Sequence, residues 1–166
     1  MTGFGKILVP HDGSSASEKA VRYAVDLAGT SSGSQVVLMH VIPTMPLPFS
    51  SMNTKLKSNR KARSSLSDIY TEMENNAERI LSEKKRELEI GARAGQNLEI
   101  KTHIVISAGS AASEIVRYAK NHAIDLIIIG GRGTTPKKGI SKLLKPLGSV
   151  SRSVVETAPC HVLVIR

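Results

Sequence analysis

Cysteine, aromatic residues and long apolar runs are all scarce in this chain, and each scarcity closes a class of protein. There is one cysteine, Cys160, in 166 residues. It cannot form an internal disulfide, so a stapled secreted scaffold is excluded, and a zinc ribbon would need more thiols. No apolar run approaches the ~18 residues needed to cross a bilayer. The N-terminal MTGFGKILVPHDG carries no signal-peptide apolar core followed by a small-residue cleavage site, so the cytoplasm is the expected compartment. Tryptophan is absent and aromatics make up 3% of the chain. Acidic residues are also few, 14 against 23 Lys and Arg, which leaves a formal charge of +9.

What remains is ordinary. The length suits one domain covering residues 1–166. Hydrophobic residues at 40% and charged residues at 22% are those of a globular fold. The excess positive charge first suggests nucleic acid. Its distribution argues otherwise. One cluster (Lys55, Lys57, Arg60, Lys61, Arg63) lies in a Ser-, Pro- and Asn-rich stretch and is expected to be a solvated loop. A second (Arg132, Lys137, Lys138, Lys142, Lys145) lies among glycines. Single-stranded nucleic acid is usually held by stacked aromatics. Here only Phe4, Tyr23, Phe49, Tyr70 and Tyr118 occur, scattered singly. Nucleic acid therefore ranks last among the partners.

The order of apolar segments is more informative. Lys6-Ile-Leu-Val-Pro10 reads as a buried strand ending in the turn Asp12-Gly13-Ser14. Ser15-Ala-Ser-Glu18 has the pattern of a capping box opening a helix, with Ala16, Ala20, Ala24, Ala28, Val21 and Val25 along one side. Gln35 to Ile42 reads as a second strand. Three prolines and a polar, basic mixture predict an irregular connection over about 43–66. A long helix is expected over about Ser67 to Ala94, its inward stripe made by Ile69, Met73, Ala77, Ile80, Leu81 and Leu88. Leu98 to Ile106 alternates like a strand. A helix from about Ser110 to His122 and the apolar strand Asp125 to Ile129 follow. The chain then runs into Gly130-Gly-Arg-Gly133. Gly148-Ser149 opens a last helix, and His161 to Ile165 is the last strand. Strict β–α alternation implies an α/β fold: an open, doubly wound, five-stranded parallel sheet with helices on both faces, Rossmann-like. Ligands of such sheets bind beyond the carboxyl ends of the strands. That edge should carry Pro10 to Gly13, His40 to Ile42 and Gly130 to Gly133.

Three groups there could carry chemistry. The glycines 130, 131 and 133, followed by a helix start at Gly148 and Ser149, fit a phosphate cradle in which Ser149 and Ser151 add hydroxyls and Arg132 adds charge. They equally fit a glycine turn plus an ordinary Ser N-cap. Asp12 could bond a ribose hydroxyl or hold a metal with a nucleotide, or it could close an Asx-turn. His11 and His40 end neighbouring strands, and with Asp12 they could approach a metal-ligand set. Satisfied structural histidines are the favoured reading. Cys160 reads as a small core residue. There is no P-loop, no G-x-G-x-x-G after the first strand and no G-x-S-x-G elbow. No pair of carboxylates suggests acid–base catalysis.

Five blocks in this order resemble the universal stress protein family: Lys6 to Ser14, Met39-His-Val-Ile42, Asp125 to Gly133, Leu147-Gly-Ser-Val-Ser151, and Ala158 to Ile165. The resemblance covers nearly the whole chain and implies the adenine nucleotide alpha hydrolase-like fold. ATP-binding members carry Gly, two residues, Gly, nine residues, then Gly-Ser or Gly-Thr. Gly130, Gly133, Gly148 and Ser149 match in kind, but fourteen residues, Thr134 to Leu147, separate Gly133 from Gly148. The phosphate loop is thus five residues longer. The resemblance implies that Pro10, His11 and Asp12 border the ligand, with Asp12 on ribose or an associated Mg²⁺ or Mn²⁺. It implies that Val41 reads adenine, and that Gly130, Gly131, Arg132, Gly133, Gly148, Ser149, Val150 and Ser151 surround ribose and phosphates. His11 stands where such proteins commonly carry Val or Thr, and His161 where Pro is frequent. The implied function is a stress-response regulator binding ATP or AMP, with at most slow ATP hydrolysis, as a homodimer joined through 161–165. The alternatives are a protein–protein module of the same fold without nucleotide and a cyclic AMP-binding variant.

Overall fold

A computed structural model describes residues 3–30, 33–44, 60–91, 98–107, 109–133 and 147–166. Nine elements alternate along the chain: β1 (Lys6–Pro10), α1 (Ser15–Ala28), β2 (Gln35–Pro43), α2 (Arg60–Gly91), β3 (Glu99–Ser107), α3 (Ala111–Asn121), β4 (Leu126–Gly130), α4 (Ser149–Thr157) and β5 (His161–Ile165). The strands make one parallel sheet in the order β3-β2-β1-β4-β5. This is the doubly wound sheet expected from the alternation.

Burial on both faces explains the strand sequences. Ile7, Val9, Val36, Leu38, Ile100 and Ile128 pack with Ala20, Val21, Ala24 and Leu81 on the α1/α2 side. Leu8, Val37, Met39, Ile127 and Ile129 pack with Ala112, Ile115, Ala119 and Val154 on the α3/α4 side. A strand covered on both faces has no polar face to alternate with, which is why β1 and β4 are continuous apolar runs. Sheet order reverses direction at β1 and β4, so the crevice at their carboxyl ends is the switch point where ligands of such sheets bind.

Three local expectations are corrected. The cap of α1 is Ser14, one residue before the expected box: its hydroxyl accepts from the Ser17 amide (3.1 Å), and the Ser17 hydroxyl donates back to the Ser14 carbonyl (2.9 Å). Glu18 is thereby released from capping. The connection expected over 43–66 is shorter, because α2 begins at Arg60. No Gly or Pro occurs from 60 to 90, so nothing stops the helix running through the polar stretch. Arg60, Lys61 and Arg63 thus belong to a helix, while Lys55 and Lys57 lie outside the described residues. The inward stripe of α2 is also narrower than expected. Ala77 and Leu81 are buried and Leu88 is partly so, but Ile69, Met73 and Ile80 are 42%, 43% and 38% exposed. A helix of 32 residues is about 48 Å long, against about 30 Å for the nine-residue strands it covers. The helix is therefore longer than the strands beneath it.

Candidate functional site

The site is assembled at the carboxyl edge from three turns. β2 runs four residues past β1, since Pro10 pairs with Met39 and β2 ends at Pro43. This brings His40 and Val41 alongside the turn that follows β1. The His11 amide donates to the Met39 carbonyl (2.8 Å), continuing the ladder one step beyond the strand. Asp12-Gly13-Ser14 then reverses the chain into α1, with Gly13 at φ +78°, a conformation that glycine adopts without strain.

Asp12 closes the Asx-turn that its sequence context suggested. Its Oδ1 accepts from the Ser14 amide (3.0 Å), closing an Asx-turn. Its Oδ2 points at Gly133, where an added Cβ would stand only 2.7 Å away. Partial burial alone would raise the Asp12 pKa. The hydroxyl and amide of Ser14 and the hydroxyl of Ser17 outweigh that and hold the carboxyl below its ordinary value. An ionised carboxylate is acceptor-only, which suits hydroxyl donors such as those of a sugar.

The glycine turn after β4 is bound to everything around it. The Gly131 amide donates to the Ile165 carbonyl (2.6 Å), and the Gly131 carbonyl accepts from the Gly148 amide (2.8 Å). The Ser14 hydroxyl reaches the Arg132 carbonyl (3.3 Å), joining the two turns directly. A Cβ on Gly130 would stand 2.9 Å from the backbone of Ala16 and Ser17, so α1 packs onto bare strand backbone there. The start of α4 behaves differently from those of α1 and α3. Ser14 and Ser110 cap their helices with hydroxyls, whereas Gly148 provides no side-chain acceptor for the first turn of α4. The amides of Ser149, Val150 and Ser151 therefore end a helix whose positive dipole end is not answered by its own cap.

Of the residues singled out from sequence, Pro10, His11, Asp12, Val41, Gly130, Gly131, Arg132, Gly133, Gly148, Ser149, Val150 and Ser151 all lie on these turns or at the ends of the elements they join. Val41 and Val150 pack against the same apolar cluster on the α3/α4 side. Ser151 is buried, and its hydroxyl donates to the Gly130 and Gly131 carbonyls (3.0 and 3.2 Å), so it braces the turn. The residues between Thr134 and Pro146, with Lys137, Lys138, Lys142 and Lys145, lie outside the described residues. The histidines do not converge on a metal. The His11 ring faces Glu18, the His40 Nδ1–H donates to the His11 carbonyl (2.7 Å), and no three His, Cys, Asp or Glu gather among the described residues. Cys160 is half-buried against the α3/α4-side core, where burial and the charge of Asp125 push its thiol pKa up. Sequence reasoning missed Ser14 and Ser17 as the clasp between the turns. The placement of Ser14 directly after Asp12-Gly13 was the available signal.

A model of the universal stress protein family matches residues 3–166. The chain belongs to the universal stress protein family. Among its relatives is the universal stress protein YxiE of Bacillus subtilis, 30% identical, with 98% of this chain and 99% of that protein covered. The solved structure of protein MJ0577, from Methanocaldococcus jannaschii, superposes with a TM-score of 0.73 at 27% identity, covering 99% of this chain and 96% of that one. A universal stress protein from Archaeoglobus fulgidus in complex with dAMP shares the fold at a TM-score of 0.53 and 19% identity, with both chains covered completely. No described helix is long and apolar enough to cross a membrane.

Proposed function

We propose that this universal stress protein binds an adenine nucleotide, ATP or AMP, at the carboxyl edge of its sheet and acts as a cytoplasmic stress-response regulator. One observation carries the reading: the solvent-exposed Asp12 carboxylate, held ionised by Ser14 and Ser17, lies against Gly133 of the same glycine turn that the uncapped start of α4 abuts through the Gly148 amide. In this reading Asp12 accepts from the ribose hydroxyls. The amides of Ser149, Val150 and Ser151 take the phosphates, and Val41 and Val150 border the adenine. Asp12 is the one acidic residue of the three turns. Mg²⁺ or Mn²⁺ fits there as an ion held by phosphate oxygens plus a single carboxylate, the usual manner for Mg²⁺ with a nucleotide. The dAMP complex of the Archaeoglobus relative speaks for the fold, and the ligand reading rests on the geometry above.

Hydrolysis is at most slow in this reading, because the two histidines of the edge are engaged with Glu18 and the His11 carbonyl and leave no evident general base. Pairing of two copies through the apolar edge strand β5 completes the proposal. Calorimetry with ATP, ADP, AMP and cyclic AMP in the presence of Mg²⁺ tests it. Saturable binding of ATP or AMP is expected. Affinities weaker than millimolar for all four would sink the reading and favour a partner-binding module without nucleotide. Sedimentation of the free protein reports the dimer.

A further inference from the structure

Immediately before Asp12 stands a histidine that the nucleotide reading leaves without a role. His11 is 4% exposed. Its side chain turns away from the crevice and onto the α1 face. Nε2 lies 2.8 Å from Glu18 Oε1, and because an ionised carboxylate only accepts, the ring donates. Glu18 keeps its charge below the ordinary carboxylate value. Burial would raise its pKa, but hydrogen bonds from Lys84 and His11 outweigh that and lower it. The second Glu18 oxygen takes Lys84 Nζ of α2 at 2.9 Å, and Lys84 is steadied in turn by Glu87 (2.7 Å). The backbone of His11 is held as well, its amide by the Met39 carbonyl and its carbonyl by His40 Nδ1. One residue is thus fixed by β2, by α1 and, through Glu18, by α2. Its chain neighbours are Pro10, whose ring restricts φ, and Asp12.

A core position could have been filled by an aliphatic side chain at no desolvation cost. A buried imidazole paired with a part-exposed carboxylate and a lysine is retained only if the buried ring is satisfied. What the arrangement adds is direction. The backbone leading into Asp12 is tied twice to β2, and the ring on the same residue is tied to α1 and, through Glu18, to α2. We infer that His11, held by Glu18 and Lys84, is a positioning residue that aims the Asp12 carboxylate, so that the seating of α2 against α1 sets the affinity of the crevice for a ribose-bearing ligand. The inference rests on the nucleotide reading proposed above.

A double-mutant cycle on ATP binding, measured calorimetrically with Mg²⁺, tests it. His11→Val removes the ring and leaves Glu18 paired with Lys84. It is expected to weaken ATP about tenfold, which corresponds to about 1.4 kcal/mol. His11→Gln, which can return an N–H to Glu18, is expected to restore most of the loss. In an Asp12→Asn background, His11→Val should have almost no further effect, because a residue acting through Asp12 has nothing left to aim. A merely structural role would give additive losses and no rescue by Gln. Lys84→Met, at the far end of the network, keeps the apolar stem and serves if His11→Val does not fold. It too should weaken ATP, and its effect should likewise vanish in the Asp12→Asn background. Wild-type affinity in the His11→Val and Lys84→Met variants, or full additivity with Asp12→Asn, would overturn the inference and leave the nucleotide reading standing. A wild-type protein that binds no nucleotide would remove both.

Discussion

Gly130 and Gly133 lie three residues apart in one turn, yet alanine at the two positions should do opposite things. At Gly130 the new Cβ would stand 2.9 Å from the Ala16 carbonyl carbon and the Ser17 amide nitrogen. Both are backbone atoms at the start of α1, and neither can swing aside. The helix must shift away from β4, and overpacking of this kind costs about 1–3 kcal/mol. For a chain of this size that lowers the melting temperature by roughly 2–12 °C. At Gly133 the new Cβ would stand 2.7 Å from Asp12 Oδ2, the mobile end of a side chain, with no other atom closer than 3.9 Å. The carboxylate can rotate away at the cost of its bond to the Ser14 amide, about 0.5–1.5 kcal/mol at a site open to solvent. Gly130→Ala should therefore melt early and, at temperatures where it remains folded, bind ATP through an intact Asp12. Gly133→Ala should melt close to the wild type and lose ATP affinity. Differential scanning fluorimetry and calorimetry on the same samples separate the two. The reasoning is refuted if both variants lose stability equally, or if Gly133→Ala binds ATP as the wild type does.

Three further outcomes are expected. Leu81→Ala, at a fully buried large side chain of α2, should cost about 2–5 kcal/mol in urea unfolding. Ile80→Ala, beside it but 38% exposed, should cost much less, and equal costs would show that the helix packs differently. Ser151→Ala should lower the unfolding free energy measured in urea by about 1–3 kcal/mol, because it strips a buried donor from the Gly130 and Gly131 carbonyls, and should change ATP affinity little. Glu18 has a lowered pKa when folded, so its contribution to stability is complete above its ordinary value of 4.5 and is lost as pH falls through the lowered one. The gap in melting temperature between the wild type and Glu18→Gln should thus be full at neutral pH and close on acidification below pH 4.5. A gap that widens there would contradict the sign.

The strands and their order could be read without a structure because both faces of the sheet are buried. Runs such as Leu126 to Ile129 have no other stable setting in a chain this polar elsewhere, and alternation with helices leaves few topologies. The candidate site was legible for the same reason: the carboxyl ends of parallel strands meet at one edge, so Asp12, Val41 and Gly130 were bound to be neighbours once the sheet was. Composition misled where it stood in for conformation. The polar residues from Arg60 look like loop, but without Gly or Pro they continue a helix, and Ile69, Met73 and Ile80 follow helical spacing yet stay exposed.

Sequence alone determined the parallel sheet, the edge at which the candidate residues meet and the family, because these follow from periodicity and from the order of short blocks. Only tertiary structure decided what each edge residue does. Gly130 is bare because α1 crosses it, Gly133 because Asp12 needs the space, and Ser151 turns inward to hold the turn. Lys84 reaches Glu18 across 66 residues of chain and His11 through it. Distances of a few ångströms between residues far apart in sequence leave no periodic trace, since they depend on how whole helices seat on the sheet.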